Sequence, residues 1–209
     1  MKDLFILTAD KSIKLTLEIL LTRRRESLRI RKLSFDIAEH PNRDPGVKNT
    51  GLEFIRALRG RYSKFILIFD YRGCGSSESP ESIRKNLLRE AKRANMSDNL
   101  EVIIINPELE IWVWKSVIHL ARIINWEESQ IREWLNSNYQ LEQGKPKEPK
   151  QAFESLLYKT NKKKSSSYFA ELAEQVSLEN CQNQAFNLLV ETLRRWFPQQ
   201  PQKGGRKND

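Results

Sequence analysis

Two stretches of similar design decide the fold of this chain. Residues 64–79 read KFILIFDYRGCGSSES, and residues 99–114 read NLEVIIINPELEIWVW. Each is a run of β-branched and apolar residues that stops at acidic side chains, Asp70 in the first and Glu108 and Glu110 in the second. In a parallel α/β sheet, ligands gather beyond the carboxyl ends of neighbouring strands. The stretches therefore predict three carboxylates in one crevice, which suits a divalent cation and a phosphate.

The first 125 residues alternate between strand and helix periodicity. We expect strands over 3–8, 28–35, 64–69 and 101–105, with helices over 11–25, 50–59 and 80–94 and a loop over 40–46. This alternation is typical of an α/β fold with a mostly parallel four-stranded sheet flanked by helices. Residues 1–125 are therefore predicted to form the sheet domain.

Helical periodicity dominates the remainder of the chain. We expect helices over 108–120, 127–135, 150–158, 167–175 and 182–197. Most of them belong to a predicted helical extension, residues 126–198, packed on the sheet domain. The last stretch, 199–209, has no apolar anchor and is expected to be a disordered tail.

The composition limits the class of protein. A chain of 209 residues with 39% apolar residues can bury a core of its own. No apolar run reaches the ~20 residues that cross a bilayer. The two cysteines, Cys74 and Cys181, lack the spacing of zinc sites or disulfide frameworks. We therefore expect a soluble cytoplasmic protein with no membrane partner.

The net charge of +9 is unevenly distributed. Residues 1–34 carry nine basic and four acidic side chains, and residues 144–164 carry seven lysines and two glutamates. Residues 98–142 carry eight acids and three bases. Basic segments on both sides of an acidic centre suit a polyanion such as nucleic acid. Lysine-rich helices can equally be solvated faces, so both interpretations stay open.

Two loops near the predicted strand ends carry further candidates. The sequence HPNRDPG over 40–46 combines His40, Arg43 and Asp44, groups that can bind phosphate and metal. The glycine-rich loop over 73–77 could present backbone N–H groups to a phosphate, but it has no Walker lysine. Steric demands of a strand-to-helix turn explain such glycines equally well.

Lysines at the starts of two predicted helices are also candidates. Lys150 and Lys164 lie beside helix N-termini, where the helix dipole disfavours a cation. An anion bound at these positions would account for that misfit. Ser165 belongs to a serine cluster that could contact the same anion or simply cap the helix.

The layout resembles the TOPRIM-like domains of bacterial overcoming-lysogenization-defect type nucleases. It resembles a group of uncharacterised bacterial TOPRIM-related proteins more closely. The matches begin with Asp70 and P-E-x-E-x-W over 107–112, and continue with P-K at 149–150, K-S-S at 164–166 and F-x-x-L at 186–189. The P-E-x-E-x-W element is the most specific of them.

The resemblance implies a TOPRIM-like fold that uses Mg²⁺ (or Mn²⁺) to break or join phosphodiester bonds. It implies a nuclease or nickase of bacterial defence or mobile-element type, acting on nucleic acid beside a possible protein partner. The catalytic residues would be Asp70, Glu110 and Glu108; the metal ligands Asp70, Glu110, Asp10 and Asp44; and the nucleic-acid contacts Arg72, His40, Arg43, Lys150, Lys164 and Ser165.

The chain departs from active members of that family at two acids. Thr8-Ala9-Asp10 stands where those enzymes have a first-strand glutamate, and Asp70-Tyr71-Arg72 where they have D-x-D. An alternative function is therefore a catalytically degenerate module that binds nucleic acid or a partner protein. A third alternative is phosphate-ester hydrolysis through Asp70, because D-Y-R-G-C faintly resembles the D-x-D-G-T loop of phosphatases.

Overall fold

A four-stranded sheet lies at the centre of the computed structural model, which describes residues 1–179 and 181–199. Its strands, in the spatial order β2-β1-β3-β4, are β1 (Lys2–Thr8), β2 (Phe35–Glu39), β3 (Tyr62–Asp70) and β4 (Leu100–Ile105). All three pairings in this sheet are parallel. The predicted α/β fold with a four-stranded parallel sheet flanked by helices is therefore confirmed.

Helices connect the strands and make up most of the second half of the chain. Before β4 come α1 (Lys11–Arg23), α2 (Arg25–Leu28), α3 (Arg43–Arg56) and α4 (Pro80–Arg93). After β4 come α5 (Glu110–Val113), α6 (Val117–Ile124), α7 (Glu128–Asn138), α8 (Pro149–Lys159), α9 (Ser167–Gln175) and α10 (Gln184–Trp196). Between α7 and α8, β5 (Leu141–Glu142) and β6 (Lys145–Pro146) form a short antiparallel hairpin.

The two strands that decided the fold class form the most buried part of the core. All six residues of β4 and the last six of β3 are buried. Helix α3 packs on β1 and β3, while α4 and α10 pack on β4. The approach of α3 is close at Gly51, where a Cβ would lie 3.3 Å from the side chain of Leu67. Continuous apolar runs rather than alternation are what a sheet covered in this way requires.

The second strand lies further along the chain than the alternating pattern over 28–35 predicts. Residue Arg29 takes a left-handed conformation with φ 57° and ends α2, and β2 begins only at Phe35. The alternating segment instead contacts the residues that follow α10, because Ile30 forms a bridge with Pro198 and Arg31 N donates to Phe197 O. The alternation reflects burial against this C-terminal segment.

Two helix predictions also need correction. Helix α3 begins at Arg43, inside the predicted loop over 40–46, because Pro45 is accommodated in a first helical turn that needs no N–H from it. The helix predicted over 108–120 is divided into α5 and α6, with Ser116 in extended conformation before α6.

Two arginines of the triplet Arg23-Arg24-Arg25, at the end of α1, hold α9 in place. Arg24 donates to the carbonyl oxygens of Ala173 (2.9 Å), Glu174 (2.6 Å) and Val176 (3.1 Å), at the C-terminus of α9. Arg23 forms an ion pair with Glu174 at 2.7 Å. The triplet lies one helix length from the start of α1, about 20 Å. These arginines therefore do not contribute to a basic surface at the strand ends.

The helices after β4 cover the sheet domain through the contacts of Arg23 and Arg24 with α9 and through α10. The boundary predicted between residues 125 and 126 stays a prediction. No helix among the described residues has the length and apolar character needed to cross a membrane. The predicted disordered tail lies, from residue 200 onward, outside the described residues.

Replacing Arg24 with Ala removes three hydrogen bonds from a charged donor to the last carbonyl groups of α9. We expect the free energy of unfolding, measured by urea denaturation, to fall by about 2 kcal/mol. The matched control is Arg25→Ala, because the Arg25 side chain makes no hydrogen bond or ion pair with any described residue. Equal destabilisation by both substitutions would contradict the role of Arg24.

Candidate functional site

A cavity of about 430 Å³ opens at the edge of the sheet where the parallel strands end. Carboxylates and cationic groups both line it. The acidic residues are Asp10, Glu39, Asp70 and Glu110, and the basic residues are Lys11, Arg43, Lys150 and Lys164. The chain therefore brings together, in one cavity, acids from the ends of all four strands of the parallel sheet and bases from four helices or loops.

Asp70 is one of two buried acids of the cavity, with 8% of its surface exposed. Its Oδ1 accepts a hydrogen bond from Leu109 N at 3.0 Å. Its Oδ2 accepts none from any described residue. Every fully buried side-chain N or O atom in the described part of the chain has a partner, so Oδ2 opens onto the cavity. One carboxylate oxygen is thus left available for a ligand.

Burial raises the pKa of Asp70 well above its usual range, and the nearby carboxylates of Asp44, Glu110, Asp10 and Glu108 raise it further. The ionised form is therefore costly in the free protein. A cation bound at Oδ2 would offset that cost and favour ionisation. A strongly raised pKa in a cavity marks Asp70 as a candidate functional group.

The two glutamates that follow β4 have different surroundings. Glu110 begins α5, is 6% exposed and lines the cavity. Burial raises its pKa, while its own backbone N–H and the charges of Lys150 and Lys164 oppose that rise. Glu108 does not line the cavity; its Oε1 accepts from Lys150 N at 3.2 Å. Of the three carboxylates expected in one crevice, Asp70 and Glu110 line the cavity and Glu108 does not.

Asp44 supports the end of β3 from outside the cavity. Its Oδ1 accepts from Asp70 N at 2.7 Å. Its Oδ2 lies so close to the backbone that a Cβ at Gly73 would come within 2.4 Å of it. Burial raises the pKa of Asp44. The structure therefore places Asp44 as a partner of the Asp70 backbone, away from the cavity lining.

Asp10 lies at the cavity and also caps α1. Its Oδ1 accepts from Ile13 N at 2.9 Å, so the first two residues of the helix, Lys11 and Ser12, face the cavity beside it. Sequence reasoning missed Lys11 and Ser12, as well as Glu39 at the end of β2. Lys11 and Ser12 come three and four residues after the strand predicted over 3–8, so their position offered a signal. Glu39 offered none, because the second strand was predicted over 28–35 and β2 in fact ends at Glu39.

Both ring nitrogens of His40 are engaged within the protein. Nδ1 accepts from Asn42 N at 3.1 Å, and Nε2 lies 3.0 Å from the Thr50 hydroxyl, to which it donates. Burial lowers the pKa of His40, which favours the neutral ring. A Cβ at Gly46 would come within 2.0 Å of Nδ1, so the ring packs directly on the start of α3. These contacts leave His40 no free donor for a phosphate.

The remaining predicted phosphate contacts divide into two groups. Arg43, Lys150 and Lys164 line the cavity, although Lys164 also pairs with Glu154. Ser165 does not line it, because its Oγ accepts from Ser167 N at 3.1 Å and supports the first turn of α9. The loop over 73–77 also lies outside the cavity lining.

Arg72 lies outside the cavity as well. Its guanidinium pairs with both carboxylate oxygens of Glu148, with Nη2 at 2.8 Å from Oε1. Its Nη1 lies 3.8 Å from Glu108 Oε1. The structure thus assigns Arg72 two acidic protein partners, and no contact with the cavity in which a phosphate would lie.

The cavity combines carboxylate oxygens, which are ligands that Mg²⁺ and Mn²⁺ can take, with cationic side chains. Within residues 1–179 and 181–199, no group of three or more His, Cys, Asp or Glu side chains is arranged to hold a metal ion. Mg²⁺, however, commonly takes one or two protein carboxylates and completes its shell with water and substrate phosphates. Asp70 and Glu110 provide the hard oxygen donors for that arrangement.

No family model, no curated protein and no solved structure matches this chain. The resemblance to TOPRIM-like proteins consequently stays a prediction. Functional assignment depends on the geometry and charge of the cavity.

Asp70→Asn tests the electrostatic state of the cavity. An acid with a raised pKa destabilises the folded chain as pH rises above about 4, the pKa of unfolded Asp, towards the folded pKa. Asn retains an oxygen for the Leu109 N–H and carries no charge. We therefore expect Asp70→Asn to raise the free energy of unfolding at pH 7 and to change it little at pH 3.

Urea denaturation between pH 3 and pH 8, without divalent cations, measures this difference. The control is Asp98→Asn, which removes an exposed carboxylate distant from the cavity. A stability gain that is the same at both ends of the pH range would contradict a raised pKa at Asp70.

Proposed function

We propose that this chain is a metal-dependent nucleic-acid phosphodiesterase with a TOPRIM-like fold, a nuclease or nickase whose Mg²⁺ or Mn²⁺ is held by Asp70 and Glu110. The observation that carries the proposal is the free Oδ2 of a buried Asp70, facing a cavity that is also lined by Lys11, Arg43 and Lys150. A metal ion and a phosphate that bind together require both kinds of side chain, carboxylates for the metal ion and cationic groups for the phosphate.

The acids and the bases have separate roles in this proposal. A divalent cation, when bound, would neutralise charge on the phosphate and stabilise the transition state of phosphodiester cleavage. Asp70 and Glu110 would hold it through their carboxylate oxygens. Lys150 and Lys164 bind phosphate oxygens, and Arg43 and Lys11, which line the same cavity, bind the adjoining backbone.

The preference for nucleic acid rests on charge. The chain carries a net charge of +9, and Lys11 and Arg43 at the cavity have no ion-pair partner among the described residues. A polyanion gains from such groups through the release of counterions. A cytoplasmic location belongs to the same proposal and rests on the cysteine usage. A setting in bacterial defence or mobile elements, beside a possible protein partner, rests on the resemblance.

Cleavage assays test this function directly. Wild-type protein is incubated with supercoiled plasmid, single-stranded DNA and RNA in Mg²⁺ or Mn²⁺, beside Asp70→Asn and Glu110→Gln. Because a metal ion supplies several kcal/mol of transition-state stabilisation, we expect each substitution to slow cleavage about 100-fold. Asp98→Asn, at an exposed carboxylate, should cut at the wild-type rate. Undiminished cutting by Asp70→Asn would refute the proposed site.

A catalytically degenerate module that binds nucleic acid or a partner protein is the second candidate. It is favoured by the position of Lys150, whose charge interacts with Glu110, Glu108 and Asp70 and so partly takes the place of a metal ion. Such a module would bind nucleic acid with an affinity that falls steeply with salt and does not respond to EDTA. Loss of binding on addition of EDTA would exclude it.

A further inference from the structure

The first residues of α8 are fastened to the site by several other segments. The Glu148 carboxylate binds Arg72. Pro149 O accepts from Trp114 Nε1 at 2.9 Å. Lys150 N donates to Glu108 Oε1 at 3.2 Å. Three consecutive residues thus meet partners from the end of β3 and from the segment after β4, so the start of α8 is fixed relative to both strand ends.

Arg72 contributes the most directional of these contacts. A guanidinium that pairs with both oxygens of one carboxylate fixes orientation as well as distance. Its second partner, Glu108, is only 5% exposed and also binds the backbone of Lys150. Arg72 is therefore linked to Lys150 by two routes, through Glu148 along the helix and through Glu108 directly to its backbone N–H.

These contacts fix the backbone from which the Lys150 side chain reaches the cavity. Lys150 lines the cavity with Asp70 and Glu110, whereas Arg72, Glu108 and Glu148 do not. The charge of Arg72 is taken up by its two glutamates outside the cavity. Any effect of Arg72 on a ligand in the cavity must therefore be transmitted through the position of α8.

We propose that Arg72 and Glu148 form a clamp that positions Lys150 in the cavity, which makes Arg72 a positioning residue and not a phosphate ligand. This inference rests on the proposed function, because that function assigns Lys150 to the phosphate. The clamp also accounts for a cation at the position where the resembling enzymes have the second acid of D-x-D. In this chain that position organises a lysine instead of binding a metal.

The first test is the dependence of the Arg72 effect on Lys150. Single-turnover cleavage is measured for Arg72→Ala, Lys150→Met and the double variant. Because small misplacements of a catalytic group are costly, we expect Arg72→Ala to reduce the rate about 10- to 100-fold. In the Lys150→Met background it should have no further effect. Independent, multiplying losses would overturn the inference, since they would mean that Arg72 contacts the substrate itself.

Glu148→Gln provides a second variant that preserves the shape of the clamp and weakens its charge. We expect it to reduce the rate less than Arg72→Ala and, combined with Arg72→Ala, to add nothing. The matched control is Arg132→Ala, which breaks the exposed ion pair with Glu128 on α7. If Arg132→Ala slows cleavage as much as Arg72→Ala, loss of general stability explains the result and the clamp is rejected.

A spectroscopic measurement tests the clamp without relying on activity. The lysines are ¹³C-methylated, and the Lys150 signal is assigned by its absence in Lys150→Arg. At pH 7 we expect this signal to shift in Arg72→Ala and Glu148→Gln and to stay in place in Arg132→Ala. An unmoved signal would overturn the clamp. If the wild type does not cleave, the proposed function fails while this measurement still decides the clamp.

Discussion

The hydrogen bond from Leu109 N to Asp70 Oδ1 joins the ends of two neighbouring parallel strands, and the geometry of the site depends on it. It holds the turn after β4 against the end of β3, so that Glu110 enters the same cavity as Asp70. It also occupies one carboxylate oxygen and leaves the other for a ligand. The Asp44 carboxylate fixes the same residue from its backbone side. Asp70 is thus held by partners on two sides, as a preorganised ligand must be.

The second organising constraint is charge. Buried carboxylates are costly when ionised, and this cavity gathers several of them beside lysines that only partly offset them. Burial lowers the pKa of Lys150, but the carboxylates of Glu110, Glu108 and Asp70 outweigh that effect and raise it. A cavity that contains both the free Oδ2 of Asp70 and the Lys150 ammonium is consistent with both proposed functions. They differ in whether a metal ion joins the lysine.

Sequence reasoning succeeded where local pattern determined the outcome. The strands expected over 64–69 and 101–105 and the helix expected over 80–94 lie close to β3 (Tyr62–Asp70), β4 (Leu100–Ile105) and α4 (Pro80–Arg93). Convergence of Asp70 and Glu110 followed from parallel strand ends alone. The β2 boundary failed because the alternating segment pairs with Pro198, and the ion pair of Arg72 with Glu148 was not predicted because Glu148 lies in a distant segment. Such partners are set by tertiary packing, which no local pattern contains.

Equilibrium binding of Mn²⁺ tests the central claim most directly, because it asks whether the free oxygen of Asp70 belongs to a cation site. Free Mn²⁺ is measured by electron paramagnetic resonance, with and without a short oligonucleotide. The account predicts one saturable Mn²⁺ per chain, displaced by Mg²⁺, and weakened by about 10- to 100-fold in Asp70→Asn and Glu110→Gln. Folded wild-type protein that binds no Mn²⁺ at millimolar concentration, even with the oligonucleotide present, would contradict it.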